Sequence, residues 1–446
     1  MDGDPAVGSE LDSFSLTFPL PYRVAFIVVL AVWAWGVNLH YLHLIKIDVP
    51  ALIRYPGRSS PHHPPHHLST YRFATVLTSV YAFSLLVFWA FTHRNPTLVI
   101  AWDWLPIAYL AVLLALFVVP SSFLGWVLPN KNSSSNPHHL LHLPSSGRAR
   151  LRSMLKRIAV GGLAEAQDGK FGDILLADVA TSYAKVLADL YVALCMFLRP
   201  DERGDGGATA RPDRACGGTL VVPLVLAAPS AIRLRQCLIE YGRVRRGPLS
   251  RESGWGGQHL ANALKYATAF PVIVFAALQR DRSSDDSRSY FNAWVVACAV
   301  NSLYSFYWDV AKDWDLTLFD GQALRSALSH PFGLRRRLHV GPPALYYAVI
   351  ALDLLLRCTW SVKLSGRLGP YADAEGALFA VEFLEVFRRW VWIFFRVETE
   401  WIRSTSGPAA PGMNGSGGGL LGTIEENSVL LSDFEGGDLG KYEDED

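Results

Sequence analysis

Long apolar stretches dominate this sequence and leave few alternatives for its fold. They lie at about residues 22–45, 72–94, 98–119, 172–198, 218–238, 259–279, 289–310, 342–363 and 376–401. A run of about 20 apolar residues is long enough to cross the hydrocarbon core of a bilayer as a helix. Only 18% of the 446 residues are charged, whereas about a quarter are charged in a typical soluble protein. The sequence therefore predicts an all-α, polytopic membrane bundle with about nine or ten transmembrane helices.

Two stretches fit this pattern poorly. Pro223 and Pro229 interrupt the fifth apolar run, and two arginines follow it at once. The segment 150–163 is short and basic, so we interpret it as an interfacial helix or as a tenth, re-entrant element. Its status decides on which side of the membrane the N-terminus lies, and the sequence leaves that side open.

The loops give the orientation of the bundle. Most Lys and Arg residues lie in the connections 46–71, 120–171, 232–257 and 311–341, and basic loops stay on the cytosolic side. The C-terminal tail is then cytosolic. We expect an acidic N-terminal segment, an N-terminal group of membrane helices, a C-terminal group that forms the functional domain, and a disordered acidic tail, with boundaries at 1–19, 20–165, 166–403 and 404–446.

The tail and the cysteines offer weaker signals. Glu426, Leu430 and Leu431 fit an acidic dileucine sorting signal, although a solvated tail explains them equally well. The five cysteines are scattered without a CxxC pair, so neither a zinc site nor a disulfide framework is expected. Prolines within the run HHPPHH at 62–67 prevent its imidazoles from sharing one helical face. We therefore expect no metal and no cofactor. A net charge of +1 without a basic, aromatic-rich patch argues against nucleic-acid binding.

Charged residues inside the apolar stretches carry the functional signal, because ionisable groups in a membrane are costly and mark a pathway by default. In EFLEVFRRWVWIFFRVETEW, the first two acids and the three arginines fall within a helical arc of about 120°. Phe387, Trp390, Val391 and Phe394 lie on the opposite side of the helix. Four other stretches show similar polar stripes. The residues on the five stripes are Asp178, Thr181, Ser182, Lys185 and Asp189; Asn262, Lys265 and Thr268; Asp309 and Asp313; Asp353 and Arg357; Glu382, Glu385, Arg388, Arg389 and Arg396.

Two interpretations of these stripes remain. The charges could pair with one another and only fix the register of the helices. Alternatively, clustered arginine forks suit a tetrahedral oxyanion, and nearby carboxylates would keep that anion from binding too tightly to leave. We favour an anion-conducting path, because spans that only pack together use small residues at their contacts. Whether Arg396 joins the path or marks its cytosolic mouth stays open.

The same residues resemble a known family. The motifs LLADVATS, PSAIRLRQCLIEY, LANALKYATAFPVIVFAAL, YSFYWDVAKDWDL, LDLLLRCTW and LEVFRRWVWIFFRVETEW occur in the order seen in the EXS domain. Eukaryotic phosphate exporters of the retrovirus-receptor type share that domain with the yeast ER-retention-defective Golgi protein. The resemblance covers most of 170–402 and implies a phosphate path through Asp178, Thr181, Lys265, Tyr266, Asp309, Asp313, Arg357, Trp360, Glu385, Arg388 and Arg389.

The resemblance also has two departures. The exporters usually carry Asn where this chain has Thr181, although a hydroxyl can still donate a hydrogen bond. Only about 20 residues precede the first span, so the SPX sensor domain of the long exporters is missing, as in the short Golgi branch of the family.

The resemblance implies a Golgi membrane protein, cycling with the ER, that moves inorganic phosphate from lumen to cytosol and supports glycosylation and retention of resident proteins. The alternative is a non-transporting adaptor that recruits glycosyltransferases into retrograde vesicles. Vesicle coat or adaptor proteins, Golgi glycosyltransferases, the lipid bilayer and a second copy of the chain are the remaining expected partners. An enzyme is not expected, because no catalytic His–Asp or His–Asn pair lies within the spans.

Overall fold

The computed structural model describes residues 11–55, 65–118, 145–199, 207–246, 256–281, 284–321, 331–364 and 375–405. These residues form helices and connecting turns, with no strand among them. The longer helices are α1 (Leu20–Leu44), α2 (His66–Thr92), α3 (Trp104–Val118), α4 (Ser145–Ala159), α5 (Lys170–Ser182), α6 (Ala184–Leu198), α7 (Val221–Arg246), α8 (Gly257–Ala267), α9 (Ala269–Asp281), α10 (Ser284–Trp308), α11 (Pro343–Arg357) and α12 (Glu375–Thr405). The predicted all-α fold class is confirmed.

Membrane-spanning character is clear for part of the bundle. Among the described residues, α1, α2, α7 and the pair α8–α9 are long and apolar enough to cross a membrane. The pair α5–α6, bent by 64°, would make a fifth span, and α3 is shorter but apolar. Every predicted apolar stretch coincides with a helix or a helix pair. The larger number of nine or ten spans stays a prediction, because the other described helices do not combine the length and apolar character that identify a span from composition.

Helix α7 corrects one predicted boundary. Pro229 lies inside the helix without ending it, so residues 232–246 are helical and do not belong to a cytosolic loop. A proline in a helix interior removes one backbone hydrogen bond, and in a membrane bundle packed neighbours tolerate that loss. Arg243, Arg245 and Arg246 lie in the last turn of α7, which places the basic end of the helix opposite its apolar start.

Segment 150–163 is mostly helical. It belongs to α4, whose Met154 and Ile158 are buried against Ala177 of α5. Leu155 and Lys156 on its other side are exposed. Helix α4 is not among the helices apolar enough to span a membrane, which fits the interfacial interpretation.

Several predicted features lie outside the described residues. They include the dileucine residues Glu426, Leu430 and Leu431 and the first half of the HHPPHH run, whose last two histidines begin α2. No group of three His, Cys, Asp or Glu side chains that could hold a metal occurs in the described ranges. The predicted domain boundaries stay a prediction.

A disulfide joins Cys195 near the end of α6 to Cys216, with a sequence separation of 21 residues. The expectation of no disulfide is therefore wrong. Spacing alone could not reveal the pair, because the two cysteines meet through contacts between segments that are separate in the sequence. Thr209 donates a hydrogen bond to the carbonyl of Val99 at 2.7 Å. The segment that follows therefore returns to α6, and the two thiols meet. Cys237, Cys298 and Cys358 do not take part in this disulfide and remain as thiols.

Aromatic packing around α1 and α12 holds the bundle together. Tyr22 at the start of α1 contacts the rings of Tyr81 and Phe88 on α2. On α12, Phe395 contacts Trp314 and Tyr346. A buried aromatic side chain removes about 150–250 Å² from solvent, so these contacts fix α12 firmly against its neighbours. The polar face of α12 is thereby directed towards α5, α10 and α11.

Candidate anion site

Asp309 lies at the centre of the charged cluster. It is fully buried and begins a π-helical turn, Asp309–Asp313, at the end of α10. A π-turn widens the helix locally and is frequent at functional sites. Lys265 of α8 donates to Asp309 at 2.9 Å and to Asp313 at 3.1 Å. Arg357 also donates to Asp309. One carboxylate therefore ties three elements of the bundle together.

Asp353 and Glu385 extend this cluster. Asp353 of α11 accepts from Arg357 at 3.0 Å, one turn away, and from Arg388 of α12 at 2.9 Å. Glu385 pairs with Arg388 at 2.6 Å and accepts from the hydroxyl of Ser182 at 2.8 Å. Each of the three cations Lys265, Arg357 and Arg388 thus has at least two carboxylate partners, as the desolvation cost of a buried charge requires.

Arg389 differs from these cations. It is 5% exposed, yet no carboxylate of the described residues lies within ion-pair distance. Its Nε donates to the hydroxyl of Ser182 at 2.9 Å, and its Nη2 approaches the hydroxyl of Thr181 at 3.5 Å. Its guanidinium stacks 4.5 Å from the ring of Trp392. The buried Nη1 has no hydrogen-bond partner. A guanidinium in this position is available to an oxyanion.

Asp178 is the centre of a second group of polar contacts next to this cluster. Arg233 of α7 donates to it at 2.6 Å, and the hydroxyl of Tyr266 also donates to it. Arg233 is 1% exposed, and its Nη1 donates to Gln236 at 2.6 Å. The sequence prediction missed Arg233, because the prolines suggested that the span had already ended. The signal was present as a polar stripe at i, i+3 and i+7, formed by Arg233, Gln236 and Glu240.

The other predicted residues lie at the edge of the cluster or apart from it. Trp360 donates to the hydroxyl of Ser302 at 3.1 Å, and Ser302 donates to the carbonyl of Arg357, so this Trp reaches the cluster through a serine. Arg396 pairs with Glu400 at 2.8 Å and not with a carboxylate of the cluster. Lys185 is exposed and lies on α6, beyond the 64° bend that separates this helix from α5.

Together these side chains form a buried network in which positive and negative charges nearly cancel. We call Arg389 its open cationic position, because this guanidinium has no carboxylate partner among the described residues. Asp178, Thr181, Lys265, Tyr266, Asp309, Asp313, Arg357, Glu385, Arg388 and Arg389 all contact at least one other member of this set or Ser182. Chemically, such a site can bind a small oxyanion through a guanidinium and two hydroxyls without importing a large excess of positive charge. We find no paired general acid and nucleophile among these side chains.

Comparisons with known proteins identify the family of this chain. The model of the EXS family matches residues 18–402. Protein ERD1 homolog 1 of Schizosaccharomyces pombe is 29% identical over 401 residues, which cover 89% of this chain and 94% of that protein. Protein ERD1 homolog 2 of the same yeast is 26% identical over 412 residues, 85% of this chain and 95% of the relative.

A second group of relatives matches about half of this chain. Solute carrier family 53 member 1 of Cricetulus griseus is 33% identical over 241 residues, 52% of this chain and 32% of that protein. The human protein of the same name is 31% identical over 246 residues. The family match extends over most of the sequence and includes every residue of the charged cluster, so this chain belongs to the EXS family.

Proposed function

We propose that this protein moves inorganic phosphate from the Golgi lumen to the cytosol, and thereby supports glycosylation and the retention of ER and Golgi residents. The observation that carries the proposal is Arg389, a buried guanidinium with an unpartnered Nη1 and no carboxylate partner within the described residues. An unsatisfied buried cation is costly, and an oxyanion bound beside it would remove that cost.

The groups around Arg389 suit the passage of a phosphate ion better than its tight binding. The hydroxyls of Ser182 and Thr181 already contact this guanidinium and could donate to a phosphate oxygen. Arg388 lies next to it in sequence but is engaged by Asp353 and Glu385. Because the other cations are shared with carboxylates, an anion meets one strong donor at a time. Conduction requires this compromise between binding and release.

The sidedness of the bundle supports a lumen-to-cytosol path. The disulfide between Cys195 and Cys216 lies near the start of α7, and the arginines lie at its other end. Disulfides persist on the lumenal or extracellular side, whereas basic ends face the cytosol. Both rules assign the same orientation, in which α12 begins at the lumen and ends in the cytosol. The Golgi location comes from the family resemblance and the ERD1 relatives.

The test is uptake of radiolabelled phosphate into proteoliposomes that contain the purified protein, with sulfate as competitor. Arg389→Ala should abolish uptake while the protein still purifies as a single species. Arg403→Ala is the matched control, because Arg403 lies on the same helix near its C-terminal end and outside the cluster. Undiminished uptake by Arg389→Ala would remove this residue from the path, and no uptake by the wild type would refute the transport function.

One exposed surface is consistent with the alternative function, that of a membrane adaptor. Phe332 is 86% exposed, and Arg336 and Arg337 beside it are exposed as well. The buried Glu398 of α12 accepts from Arg335 at 2.5 Å and fixes this loop at the cytosolic end. Such a surface could dock coat proteins or glycosyltransferases, as an adaptor would. Substituting Arg336 and Arg337 by Ser should abolish retention under the adaptor hypothesis and spare phosphate uptake under the transporter hypothesis.

A further inference from the structure

Polar residues repeat every seven positions along one face of α12. Glu375, Glu382, Arg389 and Arg396 are separated by two helical turns each, or about 10 Å along the axis. Arg389 is the open cationic position described above. Glu375 is the first residue of the helix, at the end that carries the disulfide. Glu382 therefore lies between the proposed lumenal mouth and the anion site.

Glu382 has an unusual partner. Its carboxyl group hydrogen-bonds that of Asp189 on α6. Asp189 lies on α6, beyond the 64° bend at Tyr183, whereas Ser182, which contacts Arg389, lies on α5. On α12, Glu382 lies seven residues, or two turns, before Arg389, so the contact between the two acids lies on the side of Arg389 nearer the proposed lumenal mouth.

This pair is nearly enclosed in the bundle and lacks a cation in contact. Asp189 is 9% exposed and Glu382 is 7% exposed. Within the described part of the chain, neither carboxyl has a Lys or Arg at ion-pair distance. The nearby cations Arg23 and Arg214 both bind Glu375, at 2.7 and 2.8 Å.

An ionised carboxylate has no donor, so two carboxyls that hydrogen-bond each other need a proton between them. Two buried carboxyls in contact do not both ionise, for the same reason as in other carboxyl pairs. The charged groups that face the pair are Lys185 on α6, Arg214 in the disulfide-bearing segment, Arg23 on α1 and Glu375 on α12. With Glu375 neutralising one of the arginines, these neighbours carry a moderate positive charge that leaves the pair free to gain or lose a proton.

We propose that Asp189 and Glu382 form a proton-binding site on the lumenal side of Arg389, and that the charge of this site controls access of the anion to Arg389. The inference rests on the proposed phosphate transport. With one proton the pair carries a single negative charge, which repels an incoming anion; with two protons it is neutral. At about 10 Å and an effective dielectric constant of about 20, one charge changes the occupancy of an anion roughly 15-fold. An acidic lumen would therefore open the path.

The direct test uses infrared spectroscopy on the purified protein in detergent at neutral pH, which needs no transport. The carbonyl stretch of a protonated carboxylic acid should be present in the wild type and lose intensity in both Glu382→Gln and Asp189→Asn. Glu165→Gln, which alters an exposed carboxyl, is the matched control and should leave that band unchanged. Wild-type intensity in both pair variants would overturn the proton site.

The functional test compares phosphate uptake by the wild type and by the double variant Asp189→Asn with Glu382→Gln, at equal pH on both sides of the vesicle. The double variant mimics the neutral pair. Its uptake should match that of the wild type at acidic pH and exceed it about tenfold at neutral pH. The ionisation of phosphate itself changes equally in both preparations, so their ratio isolates the pair. A ratio independent of pH overturns the inference while leaving transport intact, whereas absence of uptake in both proteins refutes the transport function.

Discussion

Arg388 and Arg389 are adjacent, equally buried and chemically identical, yet the structure assigns them different energetic roles. Arg388 is held by Asp353 at 2.9 Å and by Glu385 at 2.6 Å, and it lies 3.5 Å from Asp309. Among the described residues, the polar and ring contacts of Arg389 are those with the hydroxyls of Ser182 and Thr181 and with the ring of Trp392. Substituting each of them in turn by Met, which keeps much of the side-chain volume, separates these roles.

Arg388→Met leaves the buried carboxylates of Asp353 and Asp309 with one cation fewer, and removing one partner of a buried pair costs about 3–5 kcal/mol. Arg389→Met loses a hydrogen bond to a hydroxyl and a cation–π contact, together about 2–3 kcal/mol. It also removes a buried, partly unsatisfied charge, which offsets about 1–2 kcal/mol of that loss. We therefore expect Arg389→Met to cost about 1 kcal/mol and the two variants to differ by about 3 kcal/mol.

For a chain of 446 residues, 3 kcal/mol corresponds to about 3 °C in the unfolding midpoint. The midpoint is measured by tryptophan fluorescence of the purified proteins in detergent, and phosphate uptake is measured on the same preparations. Arg388→Met should unfold earlier, whereas Arg389→Met should stay close to the wild type but lose uptake. Equal destabilisation by the two variants would refute the reasoning, because it would mean that Arg389 is as strongly paired as its neighbour.

Three further substitutions test other parts of the bundle. Asp309→Ala removes the shared partner of three cations and should lower both the yield of monodisperse protein and its phosphate uptake; normal values of both would exclude Asp309 from the path. Cys195→Ser opens a loop of 21 residues and should cost about 3 kcal/mol, seen as a lower unfolding midpoint that reduction of the wild type reproduces. Gly36→Leu should cost about 1–3 kcal/mol by overpacking, since even a Cβ there would lie 2.7 Å from the Tyr71 ring; an unchanged midpoint would contradict this close helix contact.

The sequence predicted those features that appear as a long apolar run or as a regular helical repeat of polar residues. Runs of about 20 apolar residues located the helices, because the backbone of a membrane span must satisfy its own hydrogen bonds. The 3.6-residue period sorted the acids and arginines of α12 onto one face, and Glu382, Arg388 and Arg389 are indeed buried together. Both signals are local, since each depends only on residues within one helix.

What the sequence could not predict depends on contacts between helices. Nothing within α12 distinguishes Arg388 from Arg389, because their difference arises from the position of Asp353 on α11 and Ser182 on α5. The bend at Tyr183 likewise separates Lys185 from the stripe that a straight helix would have given it. The disulfide required knowledge of how the chain folds back between its two cysteines.

The charged cluster shows how one bundle can combine stability with a site for a mobile anion. Three cations share four carboxylates, so that part of the network is self-sufficient and holds α8, α10, α11 and α12 in register. A fully compensated network would bind no anion, because every donor would already be satisfied. Arg389 is the exception among the cations of the cluster, because its hydrogen-bond partners are hydroxyl groups and not carboxylates. Two turns nearer the start of α12, Glu382 meets Asp189 of α6, and under the proposed gating an added proton there would lower the barrier for an anion. Under the proposed function, anion binding thus depends less on the number of charges than on which cation has no carboxylate in direct contact among the described residues.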